Sequence, residues 1–131
     1  MQILGTGVDI VENTRIKTSL RNKLFVDRIF TSNEIALSKK VKDKINFYSK
    51  RFAAKEAFAK SIGTGFSNGL NFKDISVINN KAGKPSFVIT NKIKKIIKDN
   101  FKVSSFNFFL SISDEKNYSI AFVILQKNNA R

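Results

Sequence analysis

The chain of 131 residues contains no cysteine and no histidine. Disulfide bonds, thiolate nucleophiles, zinc sites built from cysteine and histidine, and histidine acid–base catalysis are therefore excluded. Long hydrophobic runs are also missing, because no apolar stretch approaches the roughly 20 residues that a membrane-spanning helix requires. No secretory signal is recognisable at the start of the chain, so we expect a cytoplasmic protein without a membrane partner.

Acidic residues are scarce, since 10 Asp and Glu stand against 24 Lys and Arg and give a net charge of +14. Such a charge attracts anionic partners, which include nucleic acids, nucleotide phosphates, membrane surfaces and acidic proteins. The basic residues are spread along the chain, which argues against a disordered basic arm. A surface that is rich in lysine only because of a biased proteome is the plain alternative.

Length and composition predict one globular domain over residues 1–131, with ample core material in 13 Phe and 42% hydrophobic residues. Periodicity and turn residues predict strands over 3–10, 75–79, 86–90, 106–112 and 118–125, and helices over 11–24, 31–41, 43–62 and 91–101. Residues 31–34 (TSNE) match a capping box. This order predicts an α+β fold with an antiparallel sheet and one long central helix.

The predicted long helix carries charges where apolar residues are expected. Strong helix formers dominate residues 51–62, and Gly63 supplies a typical stop. One apolar seam is formed at helical spacing by Ile45, Tyr48, Phe52, Ala59 and Ile62. Arg51 and Lys55 project into the same arc, and buried cations are costly without an anionic partner. That partner is either an acidic side chain or a phosphate.

Two carboxylates have more than one interpretation. Asp9 lies on the same strand face as Gly5 and Gly7, and it either pairs with a lysine, caps the next helix or binds a cation. Helix spacing alone favours an ion pair between Glu56 and Lys60, worth about 0.2–0.5 kcal/mol.

Taken together, Asp9 and Glu56 have the chemistry of a metal–diphosphate site. Magnesium is usually held by one or two carboxylates with phosphate oxygens and water. Lys60 can neutralise phosphate charge, and the backbone N–H groups of the turn at 63–65 can contact phosphate oxygens. Because no Walker pattern is present, the spacing alone does not establish such a site.

Five motifs, which occur in one order along nearly the whole chain, resemble those of the bacterial holo-[acyl-carrier-protein] synthases. They are residues 7–12 (GVDIVE) with Arg15, 51–60 (RFAAKEAFAK) with 63–65 (GTG), 83–85 (GKP), 111–113 (SIS) and 118–121 (YSIA). This family is the small, stand-alone type of 4′-phosphopantetheinyl transferase. The resemblance implies transfer of 4′-phosphopantetheine from coenzyme A to a serine of apo acyl carrier protein, in support of fatty acid biosynthesis. It also implies the fold of that family and a homotrimer with active sites at the subunit interfaces.

The resemblance further implies roles for individual residues. The implied roles are magnesium binding by Asp9 and Glu56, phosphate contact by Lys60, coenzyme A binding by Gly63, Thr64, Lys84 and Pro85, and carrier protein binding by Arg15 and Arg21. Glu56 and Lys60 are the expected catalytic residues, and Glu56 is the first choice of base for the serine hydroxyl. Magnesium is the expected cofactor, and no nucleic acid partner is expected.

The chain departs from the family pattern at one position. Asp114 stands where the family usually has a histidine after the Ser-Ile-Ser motif. Asp114 is either an additional carboxylate facing the metal or a turn residue grouped with Glu115 and Asn117, and we favour the turn.

Two other functions compete with the transferase. An inactive relative that only binds its ligands is one, because of the missing histidine. A nucleic-acid binder is the other, because Phe106, Phe108 and Phe109 can stack bases if they lie on an exposed sheet.

Overall fold

The computed structural model of the protein describes residues 2–129. Five strands form two antiparallel sheets, a three-stranded sheet in the order β1-β5-β4 and a hairpin of β2 and β3. The strands are β1 (Gln2–Glu12), β2 (Ser76–Asn79), β3 (Pro85–Val88), β4 (Phe106–Asp114) and β5 (Tyr118–Lys127). The helices are α1 (Asn13–Ser19), α2 (Lys23–Ile29), α3 (Ser32–Ser38), α4 (Lys44–Ile62) and α5 (Asn91–Phe101), with a 3₁₀ turn at Phe72–Asp74. The predicted α+β architecture with antiparallel pairing is confirmed.

Helix α4 is the centre of the molecule and packs against the three-stranded sheet. It begins after Asp43, whose carboxylate caps the helix by accepting a hydrogen bond from the Asn46 N–H, and it ends at Gly63 with φ +90°. The predicted apolar seam was too narrow, because Ala53 and Phe58 outside it are also fully buried. A helix enclosed on most sides does not show a single apolar stripe.

Two glycines in β1 allow α4 to lie directly on the strand. A Cβ atom built on Gly5 would lie 1.9 Å from the Ser61 carbonyl oxygen, and one on Gly7 would lie 1.9 Å from that of Ala57. Real atoms do not approach so closely, so only glycine fits at these positions. The space beside the strand is thus filled by the helix backbone.

The helix predicted over residues 11–24 was wrong in its extent. Strand β1 continues to Glu12, so the first helix begins later than predicted. It ends at Ser19, and a separate helix, α2, begins at Lys23. Asn22 causes the restart, because its side chain accepts a hydrogen bond from the Leu24 N–H as an N-cap. The fold therefore has one helix more than predicted, and Arg21 lies in the connection between α1 and α2.

The predicted capping box at the start of α3 is confirmed, and it also provides the partner of Lys55. The side chains of Thr31 and Glu34 each accept a hydrogen bond from the backbone of the other residue. Lys55 is completely buried, and its Nζ lies 2.8 Å from Glu34 Oε1. It also donates to the carbonyl of Phe72 at 3.0 Å, while Glu34 Oε2 accepts from the Val77 N–H. The buried cation is thus matched by an acidic side chain and not by a phosphate.

The aromatic residues of β4 do not form a common exposed platform. Phe108 faces the core and stacks on Phe58, with 4.3 Å between ring centroids, and Phe106 packs against the same core. Phe109 alone of the three is strongly exposed, at 48%. The arrangement required for base stacking along this strand is therefore not formed. Within residues 2–129, none of the helices is both long and apolar enough to cross a membrane.

Candidate active site

A cavity of about 440 Å³ brings together three of the residues singled out in the sequence. Asp9 from β1, Arg15 from α1 and Glu56 from α4 all line it, together with the rings of Phe25 and Phe52. We call it the carboxylate cavity. Its geometry follows from the glycine contact described above, because a helix lying on β1 brings Glu56 close to Asp9 across the two elements.

Lys60 contacts the strand side of the carboxylate cavity. Its Nζ lies 3.2 Å from Asp9 Oδ1 and donates to the Val8 carbonyl at 3.0 Å. The expected ion pair with Glu56 was wrong, since the ion pair of Lys60 within residues 2–129 is made with Asp9. The Lys60 side chain is 53% exposed, whereas that of Asp9 is 16% exposed. Lys60 is therefore a solvated cation at the edge of a partly buried carboxylate, and its pairing contributes little to stability.

Both carboxylates are electrostatically strained. Burial raises the pKa of Asp9, and Lys60 only partly offsets this effect. Burial also raises the pKa of Glu56, and repulsion by Asp9 raises it further. A cation placed between the two carboxylates would relieve both effects.

The two carboxylates of Asp9 and Glu56 are donors typical of a magnesium site and too few for a structural metal site in which protein ligands fill every position. No group of three or more acidic, histidine or cysteine residues that could hold a metal occurs within residues 2–129. Two carboxylates leave several coordination positions for water and phosphate oxygens, as magnesium prefers. Asp9 and Glu56 therefore fit a magnesium ion whose other coordination positions are filled by water or by a phosphate ligand.

A second cavity, of about 410 Å³, is lined by cations and was missed in the sequence. Lys40, Lys50 and Arg51 line it with Asn79 and Pro85, and we call it the cation-lined cavity. The feature of the sequence that could have indicated this cavity is Arg51, a cation in the apolar arc of α4.

Arg51 is held rigidly in the wall of the cation-lined cavity. It is 5% exposed, its Nη2 donates to Asn79 Oδ1 at 2.8 Å, and its guanidinium lies 3.9 Å above the Phe47 ring. Its buried Nε has no hydrogen-bond partner among the described residues. A buried donor without a partner is costly, so the Arg51 side chain keeps one unsatisfied N–H in this wall.

The other residues expected to bind coenzyme A or carrier protein are more dispersed. Pro85 lines the cation-lined cavity, whereas the side chain of its neighbour Lys84 is exposed and outside that lining. Gly63 and Thr64 follow the end of α4 and line neither cavity. Arg21 lies outside both cavities as well.

Asp114 is the last residue of β4 and not part of the turn that follows. It pairs with Ser119 across the sheet, and its Oδ2 accepts a hydrogen bond of 2.5 Å from Asn46 Nδ2. Asp114 lines the cation-lined cavity, so within one chain it does not face Glu56 or Asp9. The turn assignment was wrong by one residue, and the metal-facing alternative has no support from this arrangement.

The two cavities are separate in a single chain. They share no lining residue, and Arg51 and Glu56 lie five residues apart on α4. At about 100° per residue, those two side chains point roughly 140° apart around the helix axis. Each chain thus has two separate cavities on different sides of its central helix.

Comparison with known proteins decides which family contains this site. A sequence profile of the 4′-phosphopantetheinyl transferase superfamily matches residues 5–123. The chain is 71% identical over 127 residues to the holo-[acyl-carrier-protein] synthase of Pelagibacter ubique (strain HTCC1062), covering 97% of this chain and 99% of that protein. The chain belongs to the 4′-phosphopantetheinyl transferase superfamily.

Solved structures agree with the superfamily assignment. The holo-(acyl-carrier-protein) synthase of Bacillus anthracis str. Ames, solved in complex with CoA (3′,5′-ADP), matches with a TM-score of 0.81 at 35% identity, covering 98% of this chain and 100% of that one. The synthase of Neisseria meningitidis matches with a TM-score of 0.85 at 35% identity, covering 96% and 100%. The family and the fold expected from the sequence motifs are both confirmed.

Proposed function

We propose that this phosphopantetheinyl transferase moves the 4′-phosphopantetheinyl group of coenzyme A to a serine hydroxyl of apo acyl carrier protein. Attack at the β-phosphorus releases adenosine 3′,5′-bisphosphate. The observation that carries the proposal is the carboxylate cavity, which Asp9 and Glu56 line and where Lys60 pairs with Asp9, in a chain of this superfamily. Residues 1–131 act as one catalytic domain in the cytoplasm, and the product supports fatty acid biosynthesis.

Asp9 and Glu56 are the residues that would hold magnesium. When bound, the ion neutralises diphosphate charge and polarises the phosphoryl group. Lys60 is exposed at the edge of the same cavity, so its flexible ammonium can turn from Asp9 to a phosphate oxygen of the substrate.

Glu56 is the proton acceptor that the chain offers to the serine hydroxyl. Its carboxylate lines the carboxylate cavity beside Asp9, so it lies next to the place where the serine hydroxyl would react. Without histidine in the chain, the acid–base chemistry falls to a carboxylate.

Coenzyme A needs a second anion-binding region for its nucleotide end. The cation-lined cavity provides it, because Lys40, Lys50 and Arg51 line the same space as Pro85. Gly63 and Thr64 are proposed to contact coenzyme A between the two regions, and Lys84 to meet its phosphates from the exposed turn.

The outer face of the three-stranded sheet supports a homotrimer. In antiparallel pairs, residues opposite each other share a face. Val8 is opposite Phe122, and Ile10 is opposite Ile120, and all four are exposed by 38% or more. Phe109 and Tyr118 extend the same face. Continuous apolar surface of this kind marks an interface.

Association would bring the carboxylate cavity of one chain to the cation-lined cavity of the next. Each cavity is then half of one catalytic site, and because the two lie on different sides of α4, a cyclic assembly can pair them three times. The proposed catalytic site then lies at each subunit interface.

The transfer assay tests the reaction directly. Protein, coenzyme A, magnesium and apo acyl carrier protein are incubated, and mass spectrometry measures the carrier. We expect the mass of the carrier to rise by one phosphopantetheinyl group, and to rise at least about a hundredfold more slowly with Glu56→Gln. Coenzyme A binding without transfer by the unmodified protein would instead identify an inactive binding relative.

A subunit-mixing experiment tests the shared site. Glu56→Gln removes the first half-site, and Arg51→Gln weakens the second. After unfolding and refolding together in equal amounts, about one interface in three of each mixed trimer combines two intact halves, which is about a quarter of all interfaces. Activity that returns on mixing supports the shared site, whereas a monomer by light scattering or no recovery in verified mixed trimers contradicts it.

A further inference from the structure

Asn13 binds a whole turn of the chain with one residue. It is the first residue of α1 and is 7% exposed. Its backbone N–H donates to the Asn117 carbonyl at 2.8 Å, and its Nδ2 donates to the carbonyls of Glu115 and Lys116 at 3.3 and 3.2 Å. Its Oδ1 accepts from Ser119 Oγ at 2.9 Å. The three consecutive carbonyls of the β4–β5 turn are thus all bound by Asn13.

These bonds are not explained by the start of helix α1. The N-cap of α1 is Glu12, whose side chain makes no capping bond, and Asn13 is the residue after it. A buried amide is costly unless it is hydrogen-bonded, and here every bond goes to the turn or to the strand after it. Asn13 therefore serves the β4–β5 turn.

The turn is joined at its first end to the cation-lined cavity. Asp114 immediately precedes it, lines that cavity and is bonded to Asn46 in the first turn of α4. The Glu115 N–H also closes the hairpin on the Tyr118 carbonyl at 2.9 Å. A turn released from Asn13 would let Asp114 and the adjacent cavity wall shift.

We propose that Asn13 is a positioning residue for the coenzyme A site, acting through the β4–β5 turn and Asp114 on the wall of the cation-lined cavity. The inference rests on the proposed function, because it assigns that cavity to the nucleotide end of coenzyme A. Asn13, the first residue of α1, would thus affect the binding of coenzyme A without contacting it.

The test compares buried amide removals inside and outside this network. Asn13→Leu keeps the side-chain size and removes all its side-chain bonds to the turn. Ser119→Ala removes only the hydrogen bond from Ser119 Oγ to Asn13 Oδ1, and it replaces Asn13→Leu in the test if that variant folds poorly. Asn100→Leu is the matched control, because the Asn100 Nδ2 is buried without a partner in the described part of the chain. Calorimetry gives the Kd for coenzyme A, steady-state kinetics gives kcat and both KM values, and NMR gives amide exchange at Glu115.

Asn13→Leu is expected to raise the Kd and KM for coenzyme A by about three- to tenfold, the effect of losing neutral hydrogen bonds. The kcat and the KM for carrier protein should stay within about twofold, since neither the carboxylates nor Lys60 is touched. Exchange at Glu115 should be faster, Ser119→Ala should show a smaller change in the same direction, and Asn100→Leu should show none.

Several outcomes overturn the inference. Unchanged coenzyme A affinity in a folded Asn13→Leu or Ser119→Ala variant contradicts it, as do equal losses for both substrates or an equal effect of Asn100→Leu. If the unmodified protein does not bind coenzyme A, the proposed function itself fails and the inference fails with it. The affinity of the unmodified protein for coenzyme A thus shows whether the proposed function has failed or only the role of Asn13.

Discussion

At the scale of single residues, the main feature of the site is electrostatic repulsion between two partly buried carboxylates. Burial raises the pKa of both Asp9 and Glu56, and each makes ionisation of the pair harder. A folded-state pKa above the unfolded value means that the folded state holds its proton more tightly. Stability therefore falls as pH rises through the raised pKa, and in the absence of a cation the ionised pair destabilises the fold at neutral pH.

Glu56→Gln should accordingly separate stability from activity. In magnesium-free buffer the variant should have a higher Tm than the unmodified protein at pH 7, and the difference should shrink as the pH falls toward about 4 and the carboxyl groups take up protons. Turnover should fall by at least about a hundredfold, because the proposed metal ligand and base are lost together. Asp9→Ala should lose activity similarly.

Thermal unfolding from about pH 4 to pH 8 measures the first effect of Glu56→Gln. Glu115→Gln, an equal change of charge in an exposed turn, is the control and should not gain stability in this way. Near-full turnover in Asp9→Ala or Glu56→Gln with ordinary magnesium would show that the site is misassigned.

Asp114 is predicted to matter little for the chemical step. It is bonded to Asn46 and lies outside the carboxylate cavity of its own chain. Asp114→Asn keeps an oxygen acceptor for that bond, so turnover should fall less than about tenfold, or about 1.4 kcal/mol of barrier. Asp114→His should leave turnover unchanged or raise it.

Turnover against pH at saturating coenzyme A distinguishes the roles of Asp114 and Glu56. If Asp114→Asn loses several hundredfold and the acidic limb of the profile disappears, Asp114 is catalytic and the assignment of the base to Glu56 is wrong.

At the scale of elements, local signals predicted the helices well and the contacts between them poorly. The bounds of α4 and the α3 capping box follow from residues within a few positions of each other. The break between α1 and α2 was missed because the N-cap Asn22 interrupts an otherwise helical pattern.

Tertiary partners were out of reach of sequence periodicity. Glu34 and Lys55 are 21 positions apart, and only the fold shows that they pair. Lys60 was assigned to Glu56 by helix spacing, whereas the pairing of α4 with β1 gives it Asp9 instead. The resemblance to a family supplied the idea that Asp9 and Glu56 act together, and the packing of β1 on α4 supplies the physical reason.

Gly7→Ala tests that packing. The new Cβ would lie 1.9 Å from the Ala57 carbonyl oxygen, so α4 must move away from β1. Overpacking of this kind should cost about 1–3 kcal/mol or more of unfolding free energy. Because Asp9 and Glu56 lie on the two separated elements, the magnesium concentration for half-maximal turnover should also rise.

Denaturant unfolding and magnesium titration of turnover measure the two effects of Gly7→Ala. An alanine variant with unchanged stability and unchanged magnesium requirement would show that the contact between strand and helix does not set the distance between the carboxylates.

At the scale of the whole molecule, the net charge of +14 favours an acidic partner. A positive field steers an acidic carrier protein toward the enzyme and raises the rate of encounter. Arg15 lines the carboxylate cavity itself, and Arg21 follows two residues after the end of α1. If the proposed function holds, Arg15 lies beside the serine that reaches Glu56, whereas Arg21 lies outside the cavity in the connection after α1.

Charge reversal of Arg15 and Arg21 to Glu should therefore raise the KM for carrier protein at least tenfold while changing the KM for coenzyme A much less. The matched control is reversal of Lys94 and Lys98, two exposed residues of α5, because it changes the net charge equally at another place. Added salt should reproduce the loss in the unmodified protein, since exposed charges are screened beyond about 8 Å at physiological ionic strength. If both reversals raise the KM for carrier protein equally, net charge alone steers the encounter and Arg15 and Arg21 do not form a docking site. If the reversal of Arg15 and Arg21 raises the KM for both substrates equally, these residues support the fold or the catalytic site instead.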